Sequence, residues 1–316
     1  MSGDNNISIT PYTSKDRAIW DNYVSSSKNG VFLFNRNYME YHADRFKDHS
    51  LMFYRKGQLA GLMPANINDD TLFSHQGLTF GGLIAECSTK TAATLQIFDA
   101  LINHCKSIGV KTLVYKAVPY IYHVVPANED LYALFRHNAK LIARNASSCI
   151  HLPSLHEFSD NRRGSIKKAQ KHKITVQQST DFEAFMQIVA EALSERHNTK
   201  PVHTAEEMTL LANRFPDNIK MYGAFKGEQM LAGVIVYESR NVAHTQYAAN
   251  SKEGRSLGAQ DLVEDYLIKE VYKSKLYYDF GISTEQMGQV LNLGLIARKE
   301  AFNAGSVMYD IYQIDL

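Results

Sequence analysis

The sequence predicts an α/β fold, α+β in its mixed sheet, made of two similar halves packed together. Three observations carry this. Strand-like and helix-like periodicities follow the same order twice: two helices, three strands, helix, strand, helix, strand. Lys56-Gly57-Gln58-Leu59-Ala60-Gly61 recurs as Lys226-Gly227-Glu228-Gln229-Met230-Leu231-Ala232-Gly233, with a two-residue insertion, as an internal duplication would leave it. No stretch rich in Pro, Gly or Ser divides the chain, so the halves, residues 1–152 and 153–316, are expected tightly packed. A length of 316 residues suits two domains with sizeable cores.

In the first half, Ser8–Tyr12 reads as a strand. Ser14 is placed to cap a helix over Lys15–Ser27, with Ile19, Trp20, Tyr23 and Val24 on one face and Asn29-Gly30 at its end. Asn37–Lys47 reads as a second helix. Leu51–Tyr54 and Leu59–Ala65 are strands joined at Lys56-Gly57, where Gly57 supplies the positive φ of a tight hairpin. Thr71–Ser74 is a third strand. Thr89–Ile108 is a long amphipathic helix stopped by Gly109, Thr112–Lys116 a strand ended by Pro119, Glu129–Asn138 a helix and Cys149–Leu152 a strand.

The second half opens on a basic helix, Glu157–Lys173, and a strand, Ile174–Gln178. Asp181 caps a helix reaching Arg196, and Thr204 caps the next with Glu207 at capping-box spacing. Met221–Phe225 and Leu231–Tyr237 form a hairpin. The strand Val242–Asn250, the loop Ser251–Gly258 and a helix over Ala259–Lys273 follow, then the strand Leu276–Phe280, the helix Leu291–Phe302 and the closing strand Ser306–Ile314. A strand feeding a glycine loop and then a helix suits an anionic ligand group, because the first helical N–H groups are unpaired and point outward.

Composition excludes several classes. Hydrophobic content is 45% and charged content 21%, the profile of an ordinary globular protein. A net charge of +1 provides no global field toward nucleic acid or anionic membrane. Cys87, Cys105 and Cys149 are odd in number and widely spaced, so neither a disulfide framework nor a zinc site is expected. The 12 histidines show no metal-binding spacing, and a metal site is not expected. No P-loop or dinucleotide fingerprint is present. Met1–Thr10 is polar and no apolar run has membrane-spanning length, so a cytoplasmic location without integral membrane contact is expected.

Three stretches carry a resemblance. Ser165-Ile166-Lys167-Lys168-Ala169-Gln170-Lys171 with Ile174-Thr175-Val176 looks like the basic helix and strand that open the second half of FemAB-like transferases, the tandem form of the GNAT acyltransferase fold. Tyr278-Asp279-Phe280-Gly281 looks like that family's strand ending in an Asp-containing turn. Gly294 and Arg298-Lys299-Glu300-Ala301-Phe302-Asn303-Ala304 look like its Phe-Lys-x-x-Phe-Gly segment, with Arg298 in place of Phe and Asn303 in place of Gly. The helical hairpin that some peptidyl-transferring members insert is absent. The GNAT phosphate loop, Gln/Arg-x-x-Gly-x-Gly/Ala, is matched by Arg255-Ser256-Leu257-Gly258-Ala259-Gln260 except at Gln260, and Asp261, Glu264 and Asp265 place negative charge just beyond it.

The resemblance implies a degenerate first half that walls an acceptor cleft and a second half that holds the donor. It implies that a donor pairs with backbone groups at Tyr247, Ala248 and Ala249, and that Arg255, Gly258 and Ala259 meet its phosphates. It makes Lys299 the candidate for charge stabilisation, against the ordinary fate of a solvated lysine. Asp279, at a strand end, is a candidate to orient an amine or accept its proton, against a plain turn role. Tyr247 is a candidate proton relay, against core packing. Arg163 and Lys167 on the basic helix are candidates for an acceptor phosphate, although such charge runs are more often solvated faces. His75, Tyr120 and His123 lie in loop-like stretches suited to wall the acceptor. The implied activity is N-acyl transfer from acyl-coenzyme A to an amine on a small molecule or cell-envelope precursor. Two alternatives stay open: an aminoacyl-tRNA-dependent ligase acting on a peptidoglycan precursor, with tRNA as partner, and a non-catalytic binding module of the same fold. DNA is not an expected partner.

Overall fold

The computed structural model describes residues 7–197 and 200–316. Met1–Asn6, part of the polar start, lies outside them. In chain order the elements are β1 (Ile7–Pro11), α1 (Arg17–Ser26), α2 (Arg36–Met39), β2 (Leu51–Arg55), β3 (Gln58–Met63), β4 (Asn66–Asn68), β5 (Thr71–Phe73), α3 (Thr91–Ser107), β6 (Thr112–Lys116), α4 (Glu129–Arg136) and β7 (Lys140–His151). There follow α5 (Asp160–Lys171), β8 (Thr175–Ser179), α6 (Phe182–His197), α7 (Ala205–Arg214), β9 (Ile219–Lys226), β10 (Gln229–Glu238), β11 (Val242–Asn250), α8 (Lys252–Leu257), α9 (Ala259–Tyr266), β12 (Tyr277–Ile282), β13 (Thr284–Glu285), β14 (Val290–Leu291), α10 (Leu293–Glu300) and β15 (Gly305–Asp315).

The chain forms two compact units. One comprises Met1–Ala146, Thr284–Val290 and Met308–Leu316; the other comprises Ser147–Ser283 and Leu291–Val307. In the first unit β1, β2 and β3 make an antiparallel sheet, and β4, β5, β6 and β15 follow one another in a second. Its core gathers Leu51, Phe53, Leu72, Phe98, Leu113 and Tyr115, all essentially solvent-free. Buried Arg36 lies 3.7 Å from the Tyr12 ring centroid and pairs with Asp48 and Glu40.

The second unit contains the sheet order β7-β12-β11-β10-β9-β8, with β7 entering through Ser147–His151. Alternation sets its two faces. Ala232, Val234 and Val236 of β10 join Leu262, Val263 and Phe302 in the core under α9. Gly233 and Tyr237, one residue beyond Ala232 and Val236 respectively, turn the other way, toward Phe185 of α6 and Met208 of α7. Thr204 and Glu207 form the expected capping box (3.1 and 2.9 Å), and Asp181 Oδ1 accepts from Ala184 N at 3.0 Å.

Several expected elements differ. Thr13, not Ser14, sits at the first cap, bonded to Asp16. The helix expected over Asn37–Lys47 stops at Met39 and passes into a tight turn over Glu40–His42; Arg36, Tyr38, Met39 and His42 are all buried, so no single helical stripe satisfies them. The strand expected at Cys149 begins at Lys140, held by side-chain pairs such as Arg144–Asp310 (2.8 Å) that hydrophobic periodicity does not register. Ser251–Gly258, expected as a loop, contains the helical turn α8, which Ser251 caps through Gly254 N at 3.0 Å. The helix after Gly258 changes to a π-helical turn over Leu267–Val271.

Candidate active site

The site begins where two strands part. β11 pairs with β10 along its whole length, but Val236 faces Thr245 while Ile235 faces Tyr247, so Gln246 is an extra residue in the strand. Such a bulge bends a strand and sharpens its twist. On the other side, β11 pairs with β12 only over Val242–His244 against Tyr277–Asp279. Beyond that stretch β12 has its own register shift before Ile282, and Gly281 takes φ +78°. Lys299 Nζ donates to the carbonyls of Gly281 (2.7 Å) and Ile282 (2.9 Å), which keeps the diverging end hydrogen bonded. A cavity of ≈ 470 Å³ opens in the gap, lined by Thr245, Gln246, Ala248 and Asn250 of β11 and by residues of α5, α9, β12 and α10.

The outer end of the cavity is positively charged and tightly built. Gly258 sits at φ +77°, and a Cβ there would fall 2.4 Å from Ser165 Oγ and 2.6 Å from its carbonyl oxygen. Only glycine allows α9 to start against α5 in this way. Asn250 Oδ1 accepts from Gln260 N (3.1 Å), and its Nδ2 donates to Gln260 Oε1 (2.7 Å). Asp261 holds Arg162 at 2.5 Å and Arg298 at 3.3 Å. Arg162 Nε is buried without a partner. Arg255 is exposed at the rim.

The inner end is polar and buried. Thr245 Oγ1 donates to Tyr278 Oη at 3.2 Å, and Tyr278 Oη donates to Glu264 Oε2 at 2.5 Å. Glu264 has no exposed surface, and its Oε1 is buried without a partner. Burial pushes its carboxyl above the usual carboxylate range. Lys299 is 5% exposed, and the same desolvation brings its ammonium down to about 8.

On the α6/α7 face of the sheet, Asp279 is fully buried. Its Oδ1 accepts from Ser147 Oγ (2.5 Å) and Gly281 N (3.1 Å), and its Oδ2 lies 2.8 Å from His244 Nδ1. Tyr247 reaches the same face; its hydroxyl meets His203 Nδ1 (2.8 Å) and accepts from His203 N (3.2 Å), and burial raises it.

Of the residues selected from sequence, Lys299, Ala248, Arg255 and Gly258 line one cavity. Ala249 and Ala259 are buried beside it. Asp279 and Tyr247 sit on the sheet face described above. Arg163 pairs with Glu157 and Asp160 at the start of α5, and Lys167 is exposed further along it. Arg162, their neighbour, lines the cavity. His75, Tyr120 and His123 belong to the first unit. His75 is buried against the His42 ring, φ +64°, and desolvation takes it down to about 3. Tyr120 is exposed, and His123 Nε2 lies 3.1 Å from the Val118 carbonyl. Sequence reasoning did not select Thr245 or His244, whose only sequence signal is strand alternation from positions already chosen; it read Arg162 as one charge of the basic helix and Glu264 as negative charge beyond the phosphate loop.

Residues 157–287 match the acetyltransferase (GNAT) domain family. No curated relative matches the sequence. Among solved structures, FemX is similar at a TM-score of 0.67 and 13% identity, over 98% of this chain and 97% of that one. The C-terminal domain of a lysylphosphatidylglycerol synthetase from Agrobacterium fabrum is similar at 0.62 and 9%, over 95% and 91%. A tandem GNAT protein from the clavulanic acid biosynthesis pathway is similar at 0.52 and 10%, over 98% of each. The chain therefore has the FemAB-like tandem GNAT fold, with a GNAT domain matched in its second half.

Proposed function

We propose that the chain is an N-acyltransferase, taking an acyl group from acyl-coenzyme A to an amine on a small molecule or cell-envelope precursor. The observation that carries this is the parting of β11 and β12 after His244, which leaves the edge of β11 open to a cavity. An extended amide-bearing donor adds to such an edge as a strand would. Ala248 and Ala249 leave its backbone approachable. Arg255, the unpartnered Arg162 Nε and the start of α9 offer donors to phosphates at the outer end. Lys299 lies toward the inner end, where its charge stabilises the oxyanion formed when the amine attacks the acyl carbonyl. Tyr247 positions the His203 segment at the sheet face.

A second reading has its own observation. Glu264 Oε1, buried and without a partner at the inner end, would accept from an N–H carried by the acyl group. Asn250 already occupies the Gln260 N–H, one of the first helical donors. Both favour an aminoacyl donor, with aminoacyl-tRNA as partner and a peptidoglycan precursor as acceptor. Among the described residues no helix is long and apolar enough to cross a membrane.

Thermal shift separates the readings, because a ligand that binds only the native state raises the melting temperature. Acetyl-coenzyme A and free coenzyme A should both stabilise the protein, and Arg255→Ala should weaken that binding about tenfold, the loss of one charge-assisted contact. Stabilisation by aminoacyl-tRNA alone would move the assignment to the second reading. No shift with any donor would leave a binding module.

A further inference from the structure

The reading of the slot leaves one chemical role unfilled: something must take the proton that the acceptor amine loses. We propose that His244 is this general base and that Asp279 is its positioning residue. The inference rests on the acyl-transfer reading of the slot.

His244 is the last residue of β11 still paired with β12, and its Cα partner is Asp279. It therefore stands at the point where the strands part. Gly281 lies between it and Lys299: Lys299 Nζ bonds the Gly281 carbonyl, and a Cβ on Gly281 would be 3.4 Å from His244 Cε1. The base and the charge-stabilising cation thus flank one backbone unit. Donor-lining residues face α9, whereas His244 shares the α6/α7 face with Tyr237, its partner on β10. Donor and acceptor can then approach the gap from opposite faces of the sheet.

The hydrogen bonds fix the tautomer. Three donors converge on the Asp279 carboxylate: Ser147 Oγ, Gly281 N and His244 Nδ1. A carboxylate satisfied in this way accepts, so Nδ1 carries the hydrogen and the Nε2 lone pair is available. Nε2 has no hydrogen-bond partner among the described residues, and the side chain keeps 13% of its surface. Asp279 itself is wholly enclosed, so its influence on a substrate passes through His244.

The amine nitrogen forms a bond to the acyl carbon and gives its proton to His244 Nε2. The carbon–sulfur bond breaks, and the leaving thiolate takes a proton from Lys299. Water then removes the proton from His244 and restores that of Lys299. No oxidant or reductant is involved.

The test uses the full chain with acetyl-coenzyme A and a panel of primary amines, reading thiol release, with water as acceptor in the amine-free arm. His244→Gln keeps a donor in reach of Asp279 but has no base. It should keep donor-induced stabilisation and lose thiol release about 100-fold or more, the usual worth of a general base. Imidazole should restore part of the rate in His244→Ala. Asp279→Asn should lower kcat with KM unchanged, and imidazole should not restore it. Turnover in His244→Gln equal to wild type overturns the proposal, as does a wild type that binds donor but releases thiol no faster than buffer. Diethyl pyrocarbonate gives a readout independent of donor: mass spectrometry should find His244 acylated, and a resistant ring would overturn the proposal by showing Nε2 sequestered. If no donor stabilises the wild type, the slot reading has failed first, and the assignment falls with it.

Discussion

Lys299 shows how far one side chain depends on its surroundings. An exposed lysine stays charged to well above neutral pH. Here burial brings the ammonium down to about 8, while the Gly281 and Ile282 carbonyls hold it at the inner end of the cavity. A cation needed for charge stabilisation is lost as pH rises through that value. Acetyl transfer at saturating donor should therefore fall as pH climbs from 7 to 9.5, with a limb near 8 in kcat. Lys299→Arg, which retains its charge, should move that limb upward even if its maximal rate is lower. A wild-type profile flat across the range would remove Lys299 from this role. The residue was legible through a family resemblance in Arg298-Lys299-Glu300. Glu264 and His244 were not legible, because what sets them apart is an unpartnered buried oxygen and a carboxylate 35 residues away in the chain. Neither leaves a local mark in sequence.

At the scale of elements, the join between α5 and α9 turns on glycines that do opposite things. Gly258 takes φ +77° with Ser165 backbone 2.6 Å from where a Cβ would stand. Gly164, one residue before that serine, is inside α5 with nothing within 4 Å of its missing Cβ. Gly164→Ala should stabilise the protein by about 0.5–1 kcal/mol, since it removes unfolded-state freedom at no steric cost. Gly258→Ala should destabilise it by about 1–3 kcal/mol, through positive φ and a clash with backbone that cannot rotate away. Urea midpoints on both variants check the sign of each. Elements with a strong local signature were readable: β6 spans Thr112–Lys116 as expected, and the Thr204 box was visible in its spacing. The first nine residues of β7, 140–148, were not, because Arg144, Asn145 and Ser147 are polar and are held by partners remote in sequence. The two Lys-Gly hairpins add a caution. In the first, Lys56 and Gly57 are both loop residues at positive φ; in the second, Lys226 ends β9 and Gly227 opens the loop. The matching letters occupy different turn positions, so the repeated order of elements was the sounder sign of a doubled fold.

For the whole molecule, near-neutral net charge makes individual buried groups, and not global repulsion, the main source of pH dependence. One stored imbalance with a defined direction in the first unit is Asp130. It is enclosed by the core and accepts from Tyr115 Oη at 2.8 Å, while Tyr115 Oη in turn accepts from Leu83 N at 2.7 Å. Desolvation raises its carboxyl to about 6. A folded value above the unfolded one means the native state holds its proton longer. The protein is then favoured below about pH 4, where both states are protonated, and the cost grows until the folded group ionises near 6. Two units of difference correspond to roughly 3 kcal/mol at most. Asp130→Asn removes the charge and keeps an oxygen for Tyr115. Its stability should match wild type near pH 4 and exceed it by about 1–3 kcal/mol from pH 6.5 upward. Chemical denaturation at four pH values from 4 to 7.5 reads this directly. A difference that stays constant with pH would mean that Asp130 ionises in the folded protein as it does in the unfolded chain, and that the Tyr115–Asp130 pair is an ordinary neutral-to-charged hydrogen bond without stored cost.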